Sequence, residues 1–282
     1  MKKKGSIIMD KFKGYYFKCS NSEQTLALIP ASHGDNASLQ IITDNNSYNV
    51  KYGHILFGKK TPQVKLGNSV FSGRKIKLDV DRENVKAQGL LYFGSLTPLK
   101  YDIMGIFRTL SPIMQCRHRI ISMKHKVNGF VKINGERLIF NNGDGYIEGD
   151  EGTSFPEHYI WAQSFFDGGS VMLSVADVPL FGRKIKGIIA AVYAYGKEYR
   201  LATYLGARIC RIGEDIAEIK QGSFALTVRR LSVNSRELYA PEQGKMNRIV
   251  KESPRCRIYC RFKKNNDVLL EFVSEEGSWE SE

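Results

Sequence analysis

The chain has 282 residues, 42% hydrophobic and 25% charged, with 42 Lys and Arg against 29 Asp and Glu and a net charge of +13. That length buries a substantial core, in one large β domain or two smaller ones, and no run approaches the roughly 20 apolar residues that cross a bilayer as a helix. The opening Met1–Asp10 has a basic flank but too short an apolar part for a signal peptide, and the five cysteines form no CxxC pair. The sequence therefore predicts a cytoplasmic protein with reduced thiols and no bound metal.

Period-two patterning with β-branched and aromatic residues dominates, and long helical periodicity is scarce. It predicts strands at Tyr15–Cys19, Leu26–Ala31, Ser38–Thr43, Tyr48–Tyr52, Lys75–Asp81 and Ala87–Phe93. A less regular stretch, Thr97–Pro112, follows and is the expected boundary between two lobes, 1–110 and 111–282. Strands resume at Arg119–His125, Gly129–Ile133, Glu136–Phe140 and Gly145–Glu148. Asn134-Gly135 is the sharpest hairpin signal, of the type I′ kind. Further strands are expected at His158–Phe166, Val171–Val178, Lys184–Tyr195, Glu198–Ile209, Ala217–Gln221, Ser223–Leu231, Arg257–Lys263 and Val268–Ser274. Strand after strand at this spacing means an all-β protein whose antiparallel sheets close into barrels or form a large sandwich.

The window Asn141–Gly182 holds seven acidic residues and no Lys or Arg, although the chain as a whole is basic. Within it Glu148 and Asp150 share a parity, so an extended backbone points both the same way and Glu151 the other. Tyr159, Trp161 and Gln163 also share one face. Facing a common barrel interior, these groups would form a pocket for an apolar ligand with one polar end. A carboxylic acid against Trp161 would resist ionisation and could donate a proton. The alternative is that the two acids accept hydrogen bonds from backbone in a glycine-rich corner. His118 and His125 are each plausible as acid–base or orienting groups, but their odd spacing separates them on an unbroken strand, so a joint role needs a bulge.

Two basic stretches could attract anionic surfaces: six Lys or Arg in Ile103–Gly135, and eight in Lys245–Lys264 with Glu252 as the lone acid. In the second, Arg255, Arg257, Arg261 and Lys263 alternate with Cys256, Ile258, Cys260 and Phe262. Such a row is a solvated sheet face, which predicts no specific nucleic-acid binding. HExxH, phosphate-binding glycine loops and GxSxG are absent, so zinc hydrolysis, phosphoryl transfer and serine hydrolysis are poorly supported.

The run Gly145-Tyr-Ile-Glu-Gly-Asp-Glu-Gly-Thr-Ser-Phe-Pro156 with Tyr159-Ile-Trp-Ala-Gln163 resembles the tocopherol cyclase family. Cys116-Arg-His118, Ser122-Met-Lys-His125, Leu173-Ser-Val-Ala-Asp-Val-Pro179, Tyr199-Arg-Leu-Ala-Thr-Tyr204, Leu238-Tyr-Ala-Pro241 and Phe272-Val-Ser274 look like its bacterial branch. The resemblance runs from about Lys11 to the C-terminus. It implies two lipocalin-like antiparallel β-barrel lobes and a cofactor-independent ring closure of a prenylated quinol, begun by protonating an alkene. On that reading Asp150, Glu148 and His118 are catalytic, and Tyr159, Trp161, Gln163, Tyr146, Phe155 and His125 bind the ligand. The plant enzymes carry Asn-Trp where this chain has Asp150-Glu151, so the plant substrate does not carry over. The rival expectation is a lipocalin-like carrier of a lipophile, and a third is a protein held peripherally at anionic membranes by its basic stretches.

Overall fold

The computed structural model describes residues 11–110, 115–180 and 183–282, so the opening Met1–Asp10 and parts of the stretches discussed above lie outside the described residues. The first eleven strands are β1 (Phe12–Ser20), β2 (Thr25–His33), β3 (Asn36–Thr43), β4 (Ser47–Tyr52), β5 (Leu56–Phe57), β6 (Gln63–Leu66), β7 (Ser69–Ser72), β8 (Lys75–Asp81), β9 (Lys86–Phe93), β10 (Cys116–Ile133) and β11 (Glu136–Gly152). They form one curled sheet in the order 4-3-2-1-11-10-9-8-7-6-5. The remaining ten are β12 (Tyr159–Phe166), β13 (Gly169–Leu180), β14 (Arg183–Ala194), β15 (Lys197–Ala202), β16 (Arg208–Gly213), β17 (Ile216–Gln221), β18 (Phe224–Arg230), β19 (Arg236–Glu242), β20 (Lys245–Lys264) and β21 (Asp267–Ser281). These make a second sheet in the order 15-14-13-12-21-20-18-17-16, with β19 also paired to β20. Every pairing is antiparallel, and the only helices among the described residues are 3-10 turns at Gly105–Leu110 and Thr203–Leu205. The molecule is all-β, built of two lipocalin-like half-barrels.

The expected boundary at 110/111 does not coincide with a change of sheet. β10 and β11 both pair in the first sheet, and the chain crosses to the second between Gly152 and Tyr159. The irregular stretch before β10 contributes buried side chains, Ile103 and Met104, to the layer between the sheets. Broken periodicity there marks packing against two sheets at once.

Two expected pairs of strands are single long ones, β10 and β11. β10 bends through register shifts at Ile120/Ser122, Ser122/His125 and Val127/Gly129, which is how one strand serves a tightly curled sheet. The Asn134-Gly135 turn has positive φ at both residues, 47° and 95°, as a type I′ hairpin requires. The expected strand Glu198–Ile209 is instead β15, a 3-10 turn and β16. In β20, Cys256, Ile258, Cys260 and Phe262 are buried while the intervening basic residues are half-buried or exposed, as the alternation predicts.

Three apolar clusters follow from strand parity. Odd residues of β1 (Tyr15, Phe17, Cys19) and Ile147 fill the first half-barrel, while Ile160, Ala162, Trp279 and their neighbours fill the second. The opposite faces, including Tyr16, Tyr146, Tyr159, Trp161 and Phe165, meet in a third cluster between the sheets. Lys18 is wholly buried there and donates to Gln163 Oε1 (2.9 Å) and the Glu276 carbonyl (2.6 Å). Ser170 Oγ donates to the Met123 carbonyl (2.5 Å), and Lys124 Nζ to the Phe166 carbonyl (2.7 Å).

Candidate functional site

A cavity of about 180 Å³ opens in this inter-sheet layer. The expected pocket inside one barrel is therefore corrected. On β11, Ile147 faces the first core, so Glu148 must face outward toward the second sheet. On β12, Ile160 and Ala162 face the second core, so Tyr159 and Trp161 face back. Alternation places the acids and the indole opposite one another across the gap.

The glycines of the β11 motif explain why acids can stand on its other face. A Cβ at Gly145 would lie 2.3 Å from His125 Nε2, and one at Gly149 would lie 2.8 Å from the Tyr15 ring. Glycine at these two positions lets rings close against the barrel side, which fixes the carboxyl side toward the cavity.

Glu148 is 5% exposed. Its Oε2 accepts hydrogen bonds from the Tyr146 hydroxyl (2.5 Å) and Trp161 Nε1 (3.2 Å). His118, paired in register with Asp150 across β10 and β11, brings Nδ1 to 2.9 Å from Asp150 Oδ1 and Nε2 to 3.4 Å from Glu148 Oε2. Burial pushes the Glu148 pKa up to about 7, against the lowering influence of His118. Burial alone would lower that of His118, but the Glu148 and Asp150 carboxyls outweigh it and carry it up to about 9. The His118 ring thus sits between two carboxyl groups, one ring nitrogen toward each. Glu151 points away and pairs with Arg117 (3.1 Å) and Lys13 (3.7 Å).

The second sheet adds two carboxyls that sequence reasoning missed. Glu252 on β20, 1% exposed, accepts a 2.5 Å hydrogen bond from the Tyr16 hydroxyl, and burial pushes its pKa up to about 7. Glu280 on β21 accepts a hydrogen bond from the Tyr159 hydroxyl, and burial holds its carboxyl well above the usual carboxylate range. The one available signal was that Glu252 is the lone acid among eight cations in its stretch.

Of the expected site residues, Glu148, Asp150, His118, Tyr159, Trp161 and Phe155 line the cavity. The Phe155 ring lies 5.4 Å from Phe12 and 6.0 Å from Tyr159, both edge-on. Tyr146 stands behind Glu148 as a hydrogen-bond donor. Gln163 is not among the lining residues; it lies farther along β12, bound to Lys18. His125 belongs to the first half-barrel, where Nδ1 is 3.0 Å from Ser122 Oγ and the ring lies 4.7 Å from that of Phe93; burial lowers its pKa to about 4. The bulges between His118 and His125 do not bring the two together, because the strand bends around the sheet.

The hairpin of β19 and β20 closes one side of the cavity with Leu238, Tyr239, Pro241 and Met246. Gln40 on β3 docks it, donating to the Tyr239 carbonyl (2.8 Å) and accepting from its amide (2.6 Å). Among the described residues His118, Glu148 and Asp150 form the group that could hold a metal ion, with ligand atoms within 4.8 Å of one another. Of the two ring nitrogens, Nδ1 has its hydrogen-bond partner in Asp150, whereas Nε2, 3.4 Å from Glu148, is buried without one.

No protein-family model matches the chain, and no match is found among curated proteins. Solved structures do match in fold. CghA in complex with Sch210972 superposes with a TM-score of 0.61 at 8% identity, covering 96% of this chain and 88% of that one. A Nitrosomonas europaea protein provisionally assigned as AttH gives 0.54 at 10% identity, covering 97% and 92%. Kievitone hydratase from Nectria haematococca gives 0.54 at 10% identity, covering 97% and 88%. The chain thus shares a two-lobed all-β fold with these proteins.

Proposed function

We propose that the protein is a cofactor-independent acid–base enzyme, a cyclase or hydratase in type, that protonates an alkene of a lipophilic molecule in the inter-sheet cavity. The observation that carries this reading is Glu148, a buried carboxyl poised near neutrality beside Trp161 and facing an apolar cavity. A carboxylic acid with a pKa near the working pH is both present and willing to give up its proton. In the proposed step the Glu148 proton passes to one alkene carbon, leaving a tertiary cation on the other. The Trp161, Tyr16 and Tyr159 rings around the cavity favour that charge. A substrate hydroxyl, or a water in the hydratase variant, attacks the cation and its proton returns to the Glu148 carboxylate. His118, held by Asp150, is the orienting group that stabilises that carboxylate between the two steps.

The resemblance to tocopherol cyclase supports a prenylated quinol as the substrate class, and the fold likeness to a kievitone hydratase supports the hydratase variant. The test is turnover on a panel of prenyl quinols by the wild type, Glu148→Gln and Asp150→Asn. Glu148→Gln is expected to lose turnover at least a hundredfold while binding is kept, because the amide retains shape without an acidic proton. Asp150→Asn should lose less, by disturbing His118. Full turnover in Glu148→Gln would remove that residue from the reaction. Retained binding with no turnover of any quinol by the wild type would favour a lipophile carrier instead.

A further inference from the structure

The cavity's lining inverts the molecule's balance of acidic and basic residues. In a chain of net charge +13, its lining contains the carboxyls of Glu148, Asp150, Glu252 and Glu280 and, among the described residues, no Lys or Arg. These come from three strands and both sheets, β11 on one wall and β20 and β21 on the other, so the arrangement is not a local run of acids. His118 is the lining's cationic group, and both its nitrogens already face carboxyl oxygens.

The charged groups packed around the cavity are committed elsewhere. Lys18 on β1 reaches toward Glu252 from behind but donates to Gln163 and the Glu276 carbonyl. Arg248 on β20 stands over the Tyr159 ring and donates to the Pro156 and Glu157 carbonyls and to Glu282. Lys13 and Arg117 pair with Glu151. The Tyr16 and Tyr159 hydroxyls are spent on Glu252 and Glu280.

We propose that this cavity selects its ligand by charge, taking a neutral or cationic lipophile, such as an amine or quaternary ammonium on an apolar body, and excluding carboxylates and phosphates. Above about pH 7, where Glu148 and Glu252 ionise, an anionic head entering the cavity would lose its water, find no free cation among the described residues, and stand against carboxylates on two walls, which is how a site discriminates by repulsion. A cationic head would meet carboxyls and the faces of Trp161, Tyr16 and Tyr159. The inference rests on the cavity being the ligand site of the proposed function, and it removes free fatty acids from the ligands that a carrier reading would admit.

The test uses three probes with one 4-octylphenyl body, none with an alkene to react: 4-octylbenzyl alcohol, 4-octylbenzylammonium and 4-octylbenzoate. Calorimetry at pH 8.5 gives the affinity of the alcohol for the full-length protein, and the two charged probes then compete for it. The ammonium is expected to displace the alcohol with at least a hundredfold greater potency than the benzoate, the scale of an uncompensated like-charge contact. Benzoate displacing as well as the ammonium, an ammonium that fails to displace, or no binding of the alcohol would each overturn the proposal. Because the probes cannot turn over, charge selectivity without catalysis would leave this inference standing and sink the enzymatic reading. Catalysis without charge selectivity would do the reverse.

Discussion

Glu148 can serve as an acid because of what surrounds it. Burial raises its pKa to about 7, and Tyr146 and Trp161 hold one oxygen in place. Since the protonated form is the donor, turnover should be highest below about pH 7 and fall about tenfold per unit above it, a limb that a pH–rate profile would show. A flat profile from pH 6 to 9 would contradict the assignment. Glu252 gives a stability test with a definite sign. Its folded pKa is raised from 4.5 to about 7, so the folded state holds the proton more tightly than the unfolded chain. Its contribution is complete below about pH 4.5 and is lost as pH rises to about 7. Glu252→Gln keeps an acceptor for Tyr16 and cannot ionise. Urea unfolding should therefore show the variant gaining on the wild type between those pH values, by on the order of 3 kcal/mol in all. A pH-independent difference would count against it. The shared parity of Glu148 and Asp150, and the opposite parity of Glu151, were legible in the sequence. The Tyr16–Glu252 and Tyr159–Glu280 pairs were not, because partners 236 and 121 residues apart leave no local trace.

At the scale of elements, alternation predicted most strands but not their continuity. β10 reads as two segments because its register shifts interrupt the period. β11 reads as two because Asn141, Asn142 and Gly143 look like a turn; Asn142 does have a positive φ of 57°, yet the strand runs on through it. The glycines of β11 are the clearest case of a sequence feature whose reason is tertiary. Gly145→Ala would drive a methyl into the His125 ring, which Ser122 and Phe93 already hold. It should cost about 1–3 kcal/mol, as overpacked cores do. Adding His125→Ala should return part of that cost, and a double-mutant cycle of unfolding free energies measures the coupling. Strict additivity would mean that Gly145 is required for some other reason.

The whole molecule owes its site to two sheets meeting face to face. Alternation tells which residues share a face but not which face is the barrel core, so the sequence suggested a pocket inside a barrel where the structure has one between half-barrels. The all-β class and the two lobes were legible; the change of sheet after β11 was not, because the irregular stretch before β10 imitates a linker. Lys18, Ser170, Lys124 and Trp161 tie the sheets together by hydrogen bonds. Heating should therefore give one transition, with strand circular dichroism and tryptophan fluorescence coincident, since Trp161 lies between the sheets and Trp279 inside the second. Two resolved transitions would mean that the lobes hold independently.

Alkene protonation across that interface is the central claim, and deuterium labelling reads it directly. Prenyl quinols incubated with the wild type in D2O should give a cyclised or hydrated product carrying one carbon-bound deuterium, with Glu148→Gln giving almost none. Product without carbon-bound deuterium, or equal labelled product from the variant, would contradict the account.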